Sequence, residues 1–312
     1  MTAASLGGFA LVFVVCAWTL SSLGGVLLAR LERRPLVARR IAGAVAIVPL
    51  VLATAVTAML MLQSAFGVDH CPVHADHAHL CLVHGTEWIQ LPWVVATLAL
   101  VGATVAARLV LVIASVLRSQ RGLQLLHAVS HQVGQVRIVE TERAFCFVAG
   151  RTPAIYVSSR VWDALPTDQR TALIAHETAH VINGDLRMRI VMELCLVFAA
   201  PLVRDRVRTT WFAATERLCD ARAAQVSSPD AVASAMVSLF RLEATRPAGS
   251  FGLTPAQAEL GARVEAVLAA RPLGARTARI VGRLVGVVCV ALIAGAALLA
   301  EPLHHAFETL LG

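Results

Sequence analysis

Apolar and polar positions divide this chain into long unbroken apolar runs and a middle stretch of short alternations. Four runs cover residues 9–29, 41–62, 93–117 and 281–300. Each is close to the roughly 20 residues that cross a bilayer as a helix. A fifth run, 190–203, is shorter and contains Glu193 and Pro201, so it reads as a helix packed on a folded domain. Between the third and fourth long runs the period changes. Residues 123–133 look helical, and 135–140, 145–149 and 154–158 read as strands, the last two joined by a turn at 150–153. Helices are expected from a start at Pro166-Thr167-Asp168-Gln169 to a stop at Asn183-Gly184, and over 215–225, 231–243 and 255–268, with a Pro/Gly-containing loop at 245–254. The pattern predicts an α-helical membrane protein with about four transmembrane helices and an α+β domain.

Charge orients this layout. All the basic side chains among Lys and Arg are arginines, and the net charge is +7. Arg30, Arg33, Arg34, Arg39 and Arg40 follow the first run, and Arg118 and Arg121 follow the third, whereas residues 63–91 contain no arginine. Cationic loops stay on the cytoplasmic side. No basic residue precedes the first run, so it reads as a retained span with the N terminus outside. Arg108 interrupts the third run towards its inner end, where it can snorkel to the headgroups. The expected order is a three-span module (1–118) with an outside loop at 63–91, a cytoplasmic domain (119–279), and a fourth span with a short outside tail (280–312). With 57% of residues hydrophobic and the arginines beside apolar runs, the basic balance points to lipid, and no motif points to nucleic acid.

The chemistry lies in the expected cytoplasmic domain. His176, Glu177, Thr178, Ala179 and His180 form an HExxH pattern. On a helix, positions i and i+4 share a face, so both imidazoles can reach one ion. Glu177 is turned one position away, badly placed as a ligand but well placed to take a proton from water. Downstream, Glu216 can supply a third ligand and leave the fourth position of Zn2+ open. Asp220, four residues on, can accept a hydrogen bond from the free nitrogen of a ligating histidine. The plainer alternative is a surface helix with two histidines and a solvated charge pair beside Arg217 and Arg222. Arg217, Arg222 and Tyr156 are the candidates for stabilising an oxyanion.

The residues His176 to His180, Asp185, and Glu216-Arg217-Leu218-Cys219-Asp220 resemble membrane-embedded gluzincin peptidases, above all the BlaR/MecR type of signal-transducing metallopeptidase. Asn183, Gly184 and Asp185 look more like the HtpX type of quality-control protease, whereas Cys219 before Asp220 looks more like the BlaR type. The resemblance implies a zincin-like domain and one catalytic Zn2+ held by His176, His180 and Glu216. Glu177 is then the general base, and Asp220 orients a histidine. It also implies that residues 150–158 form the edge strand, which binds an extended protein substrate by strand addition. For the BlaR type that substrate is a DNA-binding repressor, cleaved after an extracytoplasmic signal; for the HtpX type it is misfolded membrane protein. BlaR-type receptors carry a penicillin-binding sensor after their last span, and 280–312 leaves no room for one, so β-lactam sensing is not implied.

Two further histidine groups call for a reading. Residues 69–84 hold Cys71, Cys81, His70, His74, His77, His79 and His84. They form either a metal-sensing loop or a loop closed by a Cys71–Cys81 disulfide. His127 and His131, spaced i, i+4 in the expected 123–133 helix, lack an acidic neighbour in the sequence and read as structural.

Overall fold

The computed structural model describes residues 3–31, 34–66, 92–243, 255–269 and 275–298. The loop at 69–84, with its choice between metal and disulfide, and the 299–312 tail lie outside them. Cys16, Cys146, Cys195 and Cys219 are free thiols.

Three helices, α1 (Ala3–Leu31), α2 (Pro35–Phe66) and α3 (Pro92–Val129), carry stretches long and apolar enough to cross a membrane. They match the first three apolar runs. The 38 residues of α3 span roughly 57 Å, well beyond the thickness of a hydrocarbon core. Arg108 of α3 is not left to snorkel. Its Nη1 donates to the carbonyls of Val197 (3.3 Å) and Ala199 (3.4 Å). The last run also forms a helix, α10 (Ala275–Leu298). Its described apolar stretch, Gly282–Leu292, is shorter than a bilayer crossing requires, so the fourth span rests on the sequence pattern alone.

The helix expected over 123–133 ends at Val129, and the chain turns into strand β1 (Ser130–Val133). Arg137, on strand β2 (Val136–Val139), donates Nη2 to the carbonyls of His127 (3.2 Å) and Ser130 (3.0 Å) and so satisfies the helix end from a neighbouring strand. His127 and His131 therefore share no helical face. His127 Nδ1 lies 3.1 Å from the Tyr156 hydroxyl, and exposed His131 lies 4.0 Å from Glu140, an acidic neighbour that the sequence spacing did not reveal.

Strands β3 (Cys146–Ala149) and β4 (Ala154–Ser158) complete a four-stranded sheet of order β1-β2-β4-β3. β4 pairs in parallel with β2 and antiparallel with β3. The edge beside the helix that carries His176 and His180 is therefore β3, not the 150–158 segment that the resemblance implied: β4 has both of its sides occupied. Ser158 closes the sheet. Its buried hydroxyl accepts from the amides of Phe145 (3.2 Å) and Val161 (3.3 Å), and the second bond caps α4 (Ser159–Ala164).

Helix α5 (Thr167–Asn183) follows Pro166 and ends at Gly184, whose φ of +67° is the left-handed cap that a glycine adopts without strain. One face of α5 sets Leu173 and Ile174 on a core of Val136, Ile138, Ile155, Val157, Val161 and Leu165. Another sets Ala172 among Ala223, Ala231, Val232, Ala235 and Val267. Small residues there let α7 (Pro201–Val226), α8 (Pro229–Glu243) and α9 (Pro255–Leu268) approach closely.

The 190–203 run is not one helix. It is divided among α6 (Asp185–Cys195), a 3-10 turn at Leu196–Phe198 and the start of α7 at Pro201. Proline cannot donate a backbone bond, so it starts a new helix here instead of continuing the old one. Leu196, Ala199, Ala200 and Val203 are buried against Leu28 of α1 and Val37, Ile41, Ala42, Val45 and Ala46 of α2. The segment from α6 to α7 is thus packed directly onto two of the helices long and apolar enough to cross a membrane.

Candidate metal centre

Helical spacing on α5 brings the His176 and His180 rings to 4.9 Å between centroids, with their Nε2 atoms 3.2 Å apart. Helix α7 crosses them and supplies Glu216. Its Oε2 lies 3.6 Å from His176 Nε2 and its Oε1 3.5 Å from His180 Nε2. The three donor atoms lie within 4.8 Å of one another. Two imidazole nitrogens and one carboxylate form a donor set that suits zinc and leaves a fourth position open.

The far side of each ring is also occupied. His176 Nδ1 lies 2.8 Å from Asp220 Oδ1, and His180 Nδ1 lies 2.9 Å from Asp185 Oδ2. Each carboxylate can accept a hydrogen bond from Nδ1–H, fix the tautomer and leave Nε2 free for a metal. Both carboxylates are buried, Asp220 at 1% and Asp185 at 4% exposure, and each is held by an arginine. Arg263 of α9 grips Asp220 with two bonds, Nε to Oδ2 at 2.8 Å and Nη2 to Oδ1 at 2.7 Å. Its Nη1 also lies 3.1 Å from Glu216 Oε2. Arg39 of α2 pairs with Asp185.

The sequence pattern named His176, Glu177, His180, Glu216 and Asp220. It quoted Asp185 without a role and missed Arg39 and Arg263. Asp185 sits 5 positions beyond His180, and only the turn at Gly184 folds it back. Nothing in the spacing of an isolated arginine announces a partner 43 or 146 positions away.

Burial works against a charged His176, but bonds to Asp220 and Glu216 outweigh it and push the metal-free imidazole up to about 10. Burial likewise opposes the Glu216 carboxylate, but the His176 bond and the charges of His176, Arg263 and His180 hold it down at about 2. Burial raises the Glu177 carboxyl above its ordinary value, partly offset by the two imidazoles and by a hydrogen bond with the Val148 backbone. A second donor group, His180, Asp185 and Cys219, shares His180 with the first. The Cys219 thiol lies 3.4 Å from His180 Nδ1 and 3.7 Å from Asp185 Oδ2. Burial and three nearby carboxylates push this thiol up, away from the thiolate form that would bind a metal.

A cavity of about 440 Å³ opens beside the three ligands. His176, Glu177, Glu216 and Cys146 line one side, and Met236, Leu239, Phe240 and Leu260 supply an apolar wall. Arg217, Arg222 and Tyr156 are not among its lining residues: Arg222 donates to Asn183 (3.1 Å) and Tyr156 faces His127. The cation that reaches the cavity is Arg263.

A family model for peptidase family M48 matches residues 95–261. The chain belongs to this family. M48 peptidases are zinc-dependent, so the donor triangle sits in a membrane-associated metallopeptidase. No curated protein and no solved structure matches the chain. The M48 match runs from α3 into α9 and takes in the HExxH helix, Asp185, Glu216 and Asp220. Arg39 and Arg263, which hold the two orienting carboxylates, lie outside it.

Proposed function

We propose that this chain is a membrane-bound zinc endopeptidase that cleaves a cytoplasmic protein, a DNA-binding repressor, in response to an extracytoplasmic signal. The observation that carries the catalytic part is the convergence of His176, His180 and Glu216 on one point, with both far nitrogens on carboxylates and Glu177 lining the adjoining cavity. Zinc bound there supplies a Lewis acid, which polarises the scissile carbonyl and lowers the pKa of water. Asp220 and Asp185 hold the Nδ1 protons, so both Nε2 atoms are available as ligands. Glu177 takes the proton of the attacking water and delivers it to the leaving amine. The free edge of β3 runs beside Glu177 and suits an extended substrate segment added as a strand. The apolar wall of α8 and α9 suits a hydrophobic side chain of that segment.

The arginines at 30–40 and 118–121, with none at 63–91, support a cytoplasmic catalytic domain and outside termini. Three spans ahead of that domain support a signalling role. Asn183, Gly184 and Asp185 favour a second role, degradation of misfolded membrane proteins.

The test compares wild type with Glu177→Gln and Glu216→Ala, measuring zinc content and cleavage on the same purified chain. Glu177→Gln should keep zinc and lose about 10³-fold or more in rate, within the range expected when a general base is removed. Glu216→Ala should lose both. Cleavage of a candidate repressor but not casein supports signalling, and the reverse supports quality control. Full activity in Glu177→Gln would overturn the mechanism.

A further inference from the structure

Arg39 belongs to a helix that is long and apolar enough to cross the membrane, yet it touches the metal site. One Asp185 oxygen pairs with its guanidinium, and the other receives His180 Nδ1 at 2.9 Å. A single buried carboxylate therefore joins the start of α2 to one of the two imidazoles. The same guanidinium lies 5.8 Å from the Trp211 ring and 3.5 Å from the Asn183 carbonyl, so its position is defined on several sides.

The packing around this contact is tight. A Cβ on Gly43 of α2 would lie 2.9 Å from the Met188 methyl of α6, the helix that begins at Asp185. Val37, Ile41, Ala42 and Val45 share one core with Val203, Val207 and Trp211 of α7, the helix that carries Glu216. Packed interiors transmit displacement and do not absorb it. Replacing both partners of a buried pair with apolar residues is often neutral, so stability alone does not account for this pair, although removing one partner strands the other. On the other imidazole the matching arginine, Arg263, comes from α9 inside the catalytic domain.

We propose that α2 sets the competence of the metal site through Arg39. Moving α2 away from α6 withdraws the guanidinium from Asp185, frees the His180 ring and lowers both metal affinity and turnover, with the catalytic domain still folded. Arg39 is a positioning residue, and the inference rests on His176, His180 and Glu216 being the metal ligands. It gives the three-span module a direct mechanical line to the catalytic centre.

The test uses the full chain in lipid nanodiscs, with Arg39→Gln, Arg39→Lys, the wedge Gly43→Leu and, as a control, exposed Arg143→Gln. Zinc affinity is read by chelator competition, together with kcat, KM and the melting temperature of the metal-free chain. Arg39→Gln and Gly43→Leu should weaken zinc binding about 10- to 100-fold, the range for outer partners of metal ligands. The kcat should fall with KM held within about twofold, since substrate contacts are untouched. Arg39→Lys should recover part of both losses, and every variant should stay folded without metal at the assay temperature, with a melting temperature lowered by the lost pair or the wedge but still above it. Arg39→Gln combined with Asp185→Asn should bind zinc no more weakly than Asp185→Asn alone, because Arg39 acts through that carboxylate. Additive losses in the double variant, wild-type zinc affinity in Arg39→Gln, or a loss that only follows collapse of the metal-free protein would each overturn the coupling. A wild-type chain that binds no zinc would overturn the metal reading itself.

Discussion

His176 and His180 are four residues apart on one helix, and each hands its Nδ1 to a buried carboxylate held by an arginine. The two supports nevertheless come from different parts of the molecule. Asp220 and Arg263 belong to α7 and α9, inside the domain that forms the cavity. Asp185 lies at the start of α6, and its arginine comes from a membrane helix. The same chemistry thus serves two purposes. One relay fixes a ligand within the catalytic unit, and the other ties a ligand to whatever moves α2. A site in which both relays came from α7 and α9 would have no such link to the bilayer.

The largest effect should be on stability, and both relays should share it. Arg263→Ala and Arg39→Gln each take the arginine from a buried carboxylate, which is expected to cost on the order of 3 kcal/mol. Thermal unfolding of the two metal-free variants checks this, and a wild-type melting temperature in either would show that its arginine does not support the carboxylate.

A pH titration sharpens the comparison at His176. Its metal-free imidazole is raised from 6.5 to about 10. The protonated form is therefore favoured by folding. That stability is fully present below pH 6.5 and is lost as pH rises through about 10. Zinc must displace the same proton, so its affinity should rise about tenfold per pH unit across this window. Calorimetry in buffers of different ionisation enthalpy counts the proton released, and a pH-independent affinity would contradict the relay. Asp220→Asn should flatten the slope.

The smallest effect belongs to the turn that delivers Asp185. Gly184→Ala places a Cβ at φ +67°, which costs about 1–2 kcal/mol. Zinc binding should fall with it, whereas Ser227→Ala at the distant end of α7 should leave zinc binding unchanged. Chemical denaturation with parallel zinc titration reads both.

Much of the site was legible before folding because helices are local. The i, i+4 repeat placed His176 with His180, and again Glu216 with Asp220, on single faces. Apolar run length likewise marked three spans without reference to tertiary contacts. The errors share one cause. The helix over 123–133 failed because Ser130–Val133 pairs as a strand with β2, whose Arg137 bonds the carbonyls at the helix end. The edge-strand assignment failed because pairing order is a non-local property: β4 follows β3 in sequence but lies inside it in the sheet.

By itself, then, the sequence determined which side chains share a helical face and which helices are long and apolar enough to cross a membrane, both consequences of helix periodicity and run length. Tertiary structure decided which charges hold those ligands. Arg39 and Asp185 lie 146 positions apart, and no short-range pattern joins them. They meet because α2, α6 and α7 share one apolar core, and packing that core brings a buried carboxylate to the arginine beside it.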